Sequence, residues 1–375
     1  MQPLHRLFIA AFTPALLIGV TLAGQVQAQS RSASAFLSSL AQTPSLNAGT
    51  VPGNGDGNPY GVAIVPAGFP AGGNTRPGDI LVSNFNASSG KQGTGRTIVS
   101  VSPSGKTSLF FQGPPSLGRL GLTTALVALR SGIVVVGNMP TTDGTSATVE
   151  AGSLLFIDKS GHILLNLKDP AFVNGPWDMT ADDRFTNRPI LYFSNILNGT
   201  VVRLNLHVIQ GRPTIESLTL VGSGFPWRPD PNALEVGPTG LALSHNHHSL
   251  YVADTTRNQI RLLRHVDTAT GDGQGSGSLV ASGGSLEGPL ALTWAPNGDL
   301  ITSNGDASGP AHTKRNINRV VEINLRQHTI VDSLQLDTTG TPGAIFGLAV
   351  TRLAGKEALV YVDDNSNTLQ ARLVK

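Results

Sequence analysis

Six short apolar runs along the chain each end in asparagine or aspartate, and these polar ends are the residues whose spacing could support chemistry. Short Asn and Asp side chains often bond the backbone amides of their own turn. Calcium prefers amide and carboxylate oxygens, so the ends predict either local turn caps or, if they converge, a calcium site. The candidate ligands are Asn195, Asp254, Asn304 and Asp364, and the remaining two ends are Asn84 and Asn138.

A single carboxylate, Asp178, occurs in the segment GPWDMTAD, where five similar segments have smaller side chains at the same place. Those smaller residues are Gly61, Thr124, Gly240, Ala291 and Gly347. A carboxylate in such a position needs a hydrogen-bond partner or a cation. We therefore predict that Asp178 binds a ligand, and the alternative is a hydrogen bond to a neighbouring segment.

Long polar segments supply the other candidate ligand-binding residues, Trp227, Arg228 and His312. Trp227 and Arg228 lie in the stiff stretch FPWRPDP, and His312 lies in the segment 305–318. Elaborated loops on a rigid scaffold commonly carry binding residues. The alternative for Trp227 is that it covers a junction between structural units. Three histidines in SHNHHS, residues 244–249, have poor spacing for zinc and predict a solvated turn.

The elements that must position these residues repeat along the chain. Windows starting at residues 58, 121, 175, 237, 288 and 344 each begin a succession of three or four short apolar runs bounded by Gly, Pro, Asn or Ser. Such runs predict strands, and repetition predicts stacked units. We predict an all-β, six-bladed β-propeller of four-stranded blades. The sixth unit ends after three runs, and residues 44–52 are expected to complete it as its outer strand.

The segments GPTGLAL, SLYVAD and RNQI of the fourth unit resemble the NHL repeat, and other units match it in part. The resemblance covers roughly residues 58–375 and implies a six-bladed propeller, often a binding platform. Six-bladed relatives resembling gluconolactonase and paraoxonase hold calcium in the channel and hydrolyse esters or lactones. Those enzymes use a Glu ligand where this chain has Asn58-Pro59-Tyr60-Gly61, so the activity is not carried over.

The N-terminal residues predict export. One arginine precedes an apolar stretch that ends in Val26-Gln27-Ala28, the layout of a secretory signal peptide. We predict a signal peptide over 1–28, a flexible lead over 29–43 and one propeller domain over 44–375, in the periplasm or secreted, with no membrane association after cleavage. The formal net charge is only +2, and the sequence has no basic stripe. Nucleic acid is therefore a poor partner.

The sequence favours a monomeric binding platform for a protein, peptide or glycan on its loop-rich face over an enzyme. The alternative is a hydrolase of the lactonase or esterase type with calcium in the central channel. The chain has no cysteine, which excludes thiol catalysis and disulfide stapling.

Overall fold

The strands form six four-stranded antiparallel sheets arranged as the blades of a β-propeller, as the sequence predicts. A computed structural model describes residues 34–231, 233–271, 273, 275–305 and 316–375. The first strand of every blade contacts the first strands of the blades on either side, and blade 6 contacts blade 1. The ring is therefore closed, and the first strands surround its axis.

In chain order, helix α1 (Phe36–Ser39) and strand β1 (Leu46–Gly49) come first. Blade 1 contains β2 (Gly57–Ile64), β3 (Ile80–Asn86), β4 (Thr97–Val101) and β5 (Thr107–Gln112). Blade 2 contains β6 (Leu122–Ala128), β7 (Ile133–Asn138), β8 (Ser153–Asp158) and β9 (Ile163–Leu167). Blade 3 contains β10 (Pro176–Asp182), β11 (Ile190–Asn195), β12 (Thr200–Ile209) and β13 (Arg212–Gly222), and a small hairpin of β14 (Arg228–Asp230) and β15 (Leu234–Val236) follows it.

Blade 4 contains β16 (Pro238–Leu243), β17 (Ser249–Asp254), β18 (Gln259–Arg264) and β19 (Ser278–Ser282). Blade 5 contains β20 (Leu292–Trp294), β21 (Leu300–Ser303), β22 (Arg319–Asn324) and β23 (Thr329–Gln335). Blade 6 contains β24 (Ile345–Leu353), β25 (Lys356–Asp363), β26 (Thr368–Leu373) and the N-terminal β1. Second strands such as β7 are buried along their whole length, because neighbouring blades cover both of their faces.

The N-terminal strand completes the last blade. Strand β1 pairs with β26 in the register Leu46↔Ala371 to Gly49↔Thr368. Leu46 and Ala48 are buried in one cluster with apolar residues of blades 6 and 1. The pairing covers the edge of β26 and joins the beginning and the end of the propeller in one sheet, as predicted.

Part of the segment predicted as a flexible lead is packed against the propeller. Phe36 and Leu37 of α1 are buried among apolar residues of blades 5 and 6. Their backbone amides each donate a 2.8 Å hydrogen bond to the carboxylate of Glu322. Residues 34–43 therefore extend the closure beyond β1. None of the helices in the described ranges is long and apolar enough to cross a bilayer.

Five of the six first strands have a register irregularity at the same place. In β10 it lies between Pro176 and Met179, and the equivalent shifts occur in β2, β6, β16 and β24. A bulge places two residues opposite one and changes the direction of their side chains. In β10 the two bulged residues are Trp177 and Asp178, and this local kink determines what the channel contains.

Candidate functional site: the central channel

The two ends of the channel lie on different faces of the propeller. The loop face carries the connections between blades and those after second strands, and the hairpin face carries the turns after first and third strands. A long turn, 65–79, lies on the hairpin face, where its Asn74 amide nitrogen donates a 2.8 Å hydrogen bond to the Lys159 carbonyl. The hairpin face therefore also carries a long loop, although the sequence predicts a single loop-rich face.

Aromatic side chains fill the channel at the loop face. The ring of Tyr60 stacks on Phe85 at 4.5 Å and on Phe346 at 4.0 Å between centroids. Trp177 meets Tyr60 and Phe85 edge-on at 5.8 and 5.6 Å. All four are buried, and they belong to a cluster that also includes Met139, Ile196, Leu234 and Leu290. We call Tyr60, Phe85, Trp177 and Phe346 the aromatic cluster, and it closes the loop-face end of the channel.

The predicted metal ligands at the ends of second strands each bond to their own surroundings. Asn195 accepts from the Asn174 amide at 2.9 Å and donates to the Phe172 carbonyl at 2.7 Å. Asn304 accepts from the Glu287 amide at 3.1 Å and donates to two carbonyl groups. These backbone partners lie 12 to 23 residues away along the chain, so the two side chains connect neighbouring loops instead of capping the turns that directly follow them.

Asp254 is fully buried and makes an ion pair with Arg257, whose Nη1 lies 3.1 Å from its Oδ2. It also accepts the Arg257 backbone amide at 3.2 Å. Burial raises the pKa of Asp254, and the bonds from Arg257 oppose that shift. An arginine three residues along the chain therefore supplies the positive charge that a metal was predicted to supply.

The sixth strand end is Asp363 rather than Asp364. Asp363 pairs with Ile345 in the sheet, as Asp254 pairs with Pro238 in blade 4. Asp364 takes the following position, which Phe85 occupies in blade 1. Burial, with a smaller contribution from the neighbouring Asp363, raises the pKa of Asp364 to about 7. With its amide turned to donate, Asn58 lies 3.0 and 3.2 Å from the two carboxylate oxygens of Asp364.

At the hairpin face the channel opens into a cavity of about 470 Å³. Its depth is lined by the residues of the fourth first-strand position, among them Asp178, Thr124, Ala291 and Gly347. Its lining combines polar and charged groups with apolar side chains, and the apolar ones include Val62, Leu126, Leu241, Leu292 and Leu348. We call this cavity the channel pocket. The bulge therefore gives Trp177 to the aromatic cluster and Asp178 to the pocket.

Small residues at the same position are required by the crowding of the first strands. A Cβ atom on Gly240 would lie 1.9 Å from the Leu290 carbonyl oxygen, and one on Gly347 would lie 2.4 Å from that of Tyr60. Steric crowding therefore explains why glycine occupies these positions. Among the six residues at this position, Asp178 is the carboxylate.

Asp178 is partly buried and bonded to backbone amides. Its Oδ1 accepts the Met179 amide at 2.7 Å, and its Oδ2 accepts the Leu241 amide of the next blade at 3.3 Å. The bond from Leu241 is a hydrogen bond to a neighbouring segment, which is the alternative role that the sequence offers for Asp178. Burial raises the pKa of Asp178 to about 8, and the two amides only partly oppose it. A substantial fraction of this carboxyl is therefore protonated at neutral pH.

The mouth of the channel pocket is charged, and its charges are paired. Asp182 lies 2.7 Å from Arg184 Nη2 and 3.4 Å from His247 Nδ1. Asp183 accepts the Arg130 amide at 2.6 Å and lies 3.5 Å from Arg130 Nε. Burial would raise the pKa of Asp182, but the bonds from Arg184 outweigh it and the net shift is downward. The mouth therefore balances its charge locally.

A second cavity of about 380 Å³ adjoins the mouth and shares Leu241, His247 and Leu292 with the channel pocket. His245 and Trp294 form its outer wall, edge to face at 4.3 Å. His248 instead pairs with Asp267 at 2.6 Å. The three histidines of the predicted solvated turn therefore point to different neighbours.

The predicted residues of the loop face are dispersed. Trp227 is 45% exposed. Arg228 pairs with Asp230 of its own hairpin at 2.7 Å, and Leu234 of that hairpin packs on the aromatic cluster. His312 lies outside the described residues. Among the described residues no group of three or more His, Asp or Glu side chains could hold a metal ion.

Serines that precede three of the strand ends join the blades, and the sequence analysis did not identify them. Ser194 donates to the Thr239 carbonyl of the next blade at 2.8 Å and accepts the Asp178 amide at 3.1 Å. Ser83 and Ser303 donate in the same way to Thr123 and Phe346. The recurring Ser-Asn pair in LVSN, YFSN and ITSN was the available signal.

Comparison with known proteins supports the fold. No protein-family model matches the chain, and no curated protein matches it. A calcium-binding protein, regucalcin, from Agrobacterium tumefaciens has a TM-score of 0.51 at 12% identity, covering 88% of this chain and 94% of that chain. At this identity the likeness shows the propeller fold alone.

Two further solved structures are similar at lower scores. The luciferin-regenerating enzyme has a TM-score of 0.48 at 10% identity, covering 88% of this chain and 95% of that chain. A chain of the nidogen/laminin complex has a TM-score of 0.46 at 13% identity, covering 78% of this chain and 85% of that chain. The resemblance to NHL repeats stays a prediction from the residues quoted above.

Proposed function

We propose that this protein is a binding propeller that holds a small organic molecule in the channel pocket. One observation carries the proposal: the channel is closed by aromatic side chains at the loop face and opens at the hairpin face into a cavity with Asp178 at its depth. A concave site that combines apolar side chains with a few polar groups is a common form of a small-molecule site. The proposal thus moves the predicted site to the opposite face.

The channel offers little support for the alternative, a calcium-dependent hydrolase. A calcium ion needs about six or more oxygen ligands, whereas aromatic rings occupy the loop-face end and Asp254, Asn304 and Asn195 already bond to protein groups around them. A hydrolase without metal needs a nucleophile beside a base. In the described lining of the pocket the one histidine, His247, contacts Asp182 instead.

A blocking substitution tests the site. Thr180 lines both cavities of the hairpin face, and Thr180→Trp is expected to fill the mouth. Fragments that bind the wild type, detected by ligand-observed NMR, should lose at least about tenfold in affinity, equivalent to ~1.4 kcal/mol. Val331→Trp is the matched control, because Val331 is an exposed residue of the outer strand β23.

The loop face provides a second candidate site for a protein, peptide or glycan, because Trp227 is an exposed aromatic residue there. Exposed tryptophans often anchor partners. The same screen includes Trp227→Ala. If a ligand still binds the Thr180→Trp variant but no longer binds the Trp227→Ala variant, its site lies at the loop face. That result would contradict the channel-pocket proposal.

We also propose export to the periplasm or the exterior and a monomeric state. Export rests on the leader-like residues 1–28, which lie outside the described residues. The absence of cysteine is compatible with either compartment. An exported protein would meet its ligand directly from the surrounding medium.

A further inference from the structure

We infer that the ligand of the channel pocket carries a positively charged nitrogen, which pairs with Asp178, and a compact apolar body, which lies on the surrounding leucines. The inference rests on the proposed function and adds the chemical class of the ligand. It follows from three features of the channel pocket: an unmatched carboxylate, apolar side chains in the lining and a mouth whose charges are already paired.

Asp178 is the carboxylate of the pocket that no cationic side chain of the described residues contacts. Its bonds come from the Met179 and Leu241 amides. The other acids of the lining have cationic partners: Asp182 pairs with Arg184, and Asp183 pairs with Arg130. A buried carboxylate is costly unless a positive charge or a proton accompanies it. A cationic ligand supplies the charge that the fold leaves out.

The walls favour an organic cation over a metal ion. Leu126, Leu241 and Leu348 surround the carboxylate with apolar surface, which an alkyl or aryl group can cover. A metal ion would need several more oxygen ligands. The neighbouring Thr124 hydroxyl donates to the Trp177 carbonyl, and Ala291 and Gly347 offer no side-chain oxygen. An ammonium or guanidinium group needs only the one carboxylate and brings its own apolar part.

The pairing predicts a pH profile with a definite sign. Burial raises the pKa of Asp178 to about 8, so below that pH the Asp178 carboxyl of the ligand-free protein is largely protonated. Binding an ammonium ion then requires loss of the proton. The affinity should therefore rise by about tenfold per pH unit between pH 6 and pH 8 and level off above, until the amine itself loses its proton.

Other titratable groups face the same pocket and need a control. They stand at the mouth, on the ends of the first strands and the turns that follow, and they are Arg130, Asp182, Asp183, Arg184 and His247. His247 is the histidine among them, and its substitution provides the control. His247→Gln should preserve the rise in affinity between pH 6 and pH 8, whereas Asp178→Asn should remove it.

The experiment compares amines with neutral molecules of the same shape. The probes are 2-phenylethylamine with 2-phenylethanol and cyclohexylmethylamine with cyclohexylmethanol, titrated at pH 8 against the full chain. In the wild type each amine should bind at least about tenfold more tightly than its alcohol, and in Asp178→Asn the difference should disappear. Melting curves of both proteins verify that the variant is folded.

The outcomes separate this inference from the proposed function. Equal binding of amines and alcohols, both blocked by Thr180→Trp, would overturn the cationic ligand and leave the channel pocket as the site. Amine affinity that falls as the pH rises from 6 to 8 would also overturn it, since a protonated Asp178 would then be the binding form. Failure of all four probes to bind at millimolar concentration would overturn both proposals.

Discussion

Replacing Asp178 with asparagine is expected to stabilise the protein at pH 8 and to leave its stability nearly unchanged at pH 4. Burial raises the pKa of Asp178 from its ordinary value of 3.8 to about 8 in the folded protein. Below pH 3.8 both states bind the proton and the residue contributes nothing. As the pH rises toward 8 the unfolded chain releases the proton while the folded protein retains it, so stability is lost.

The expected size of the effect is about 3 kcal/mol at pH 8. Each unit of pKa difference corresponds to ~1.4 kcal/mol, and the full shift sets the upper limit. Asparagine can accept the Met179 amide and presents a donor to the Leu241 amide, as the protonated carboxyl does, so the two side chains are nearly equivalent at pH 4. Contact of the pocket with solvent reduces the gain at pH 8 below the upper limit. Thermal melts at pH 4 and pH 8 should show Tm rising by several degrees at pH 8 alone.

A control of opposite sign lies on the same strand. The pKa of Asp182 is lowered because bonds from Arg184 outweigh its burial. Its carboxylate therefore contributes stability above the unfolded pKa, and Asp182→Asn should destabilise the protein at pH 8. If Asp178→Asn were instead as destabilising at pH 8 as Asp182→Asn, the carboxylate would be a structural partner, and its assignment to a ligand would be wrong.

Removing residues up to Gly49 is expected to abolish cooperative folding. A chain that begins at Thr50 lacks α1 and β1, and with them the buried side chains of Phe36, Leu37, Leu40 and Leu46. Burial of each large apolar side chain is worth about 1.5–3 kcal/mol, so the loss exceeds about 5 kcal/mol, comparable to the whole stability of many domains. It also exposes the edge of β26, which favours aggregation.

A chain that begins at Ser34 is the matched control, because it retains every contact of α1 and β1. Circular dichroism melts and gel filtration compare the two chains. The shorter one should elute as aggregate or melt without a sharp transition, while the control melts cooperatively. Two chains with Tm values within about 2 °C of each other would show that the ring closes without the N-terminal strand.

The sequence was sufficient for the fold because each blade repeats the same local signals. Apolar runs such as GIVVVGN and SLYVAD are buried on both faces, so they lack alternation and their boundaries are marked by turn residues. The closing strand could be predicted from a count, since the sixth unit lacks one strand and residues 44–52 lacked a unit. The packing of residues 34–43 against the propeller could not be predicted, because the backbone amides of Phe36 and Leu37 bond to Glu322, which lies 286 and 285 residues away.

The site was less accessible from the sequence, because it depends on side-chain direction within a bulge. Asp178 was identified as unusual, but nothing in GPWDMTAD shows that Trp177 turns to one end of the channel and Asp178 to the other. The strand ends drew attention to the loop face, yet the side chains of Asn195, Asp254 and Asn304 bond to protein groups around them. The third first-strand position held the missing signal: Tyr60, Trp177 and Phe346 are aromatic there and fill the axis.

The most direct test of the account locates a bound probe within the channel. Leucine methyl groups of the protein can be observed by NMR while 2-phenylethylamine is added. The account predicts shifts for Leu126, Leu241 and Leu348 of the channel pocket, with Leu234 and Leu290 beside the aromatic cluster unchanged. Saturable shifts confined to Leu234 and Leu290 would place the ligand at the loop face and contradict the account.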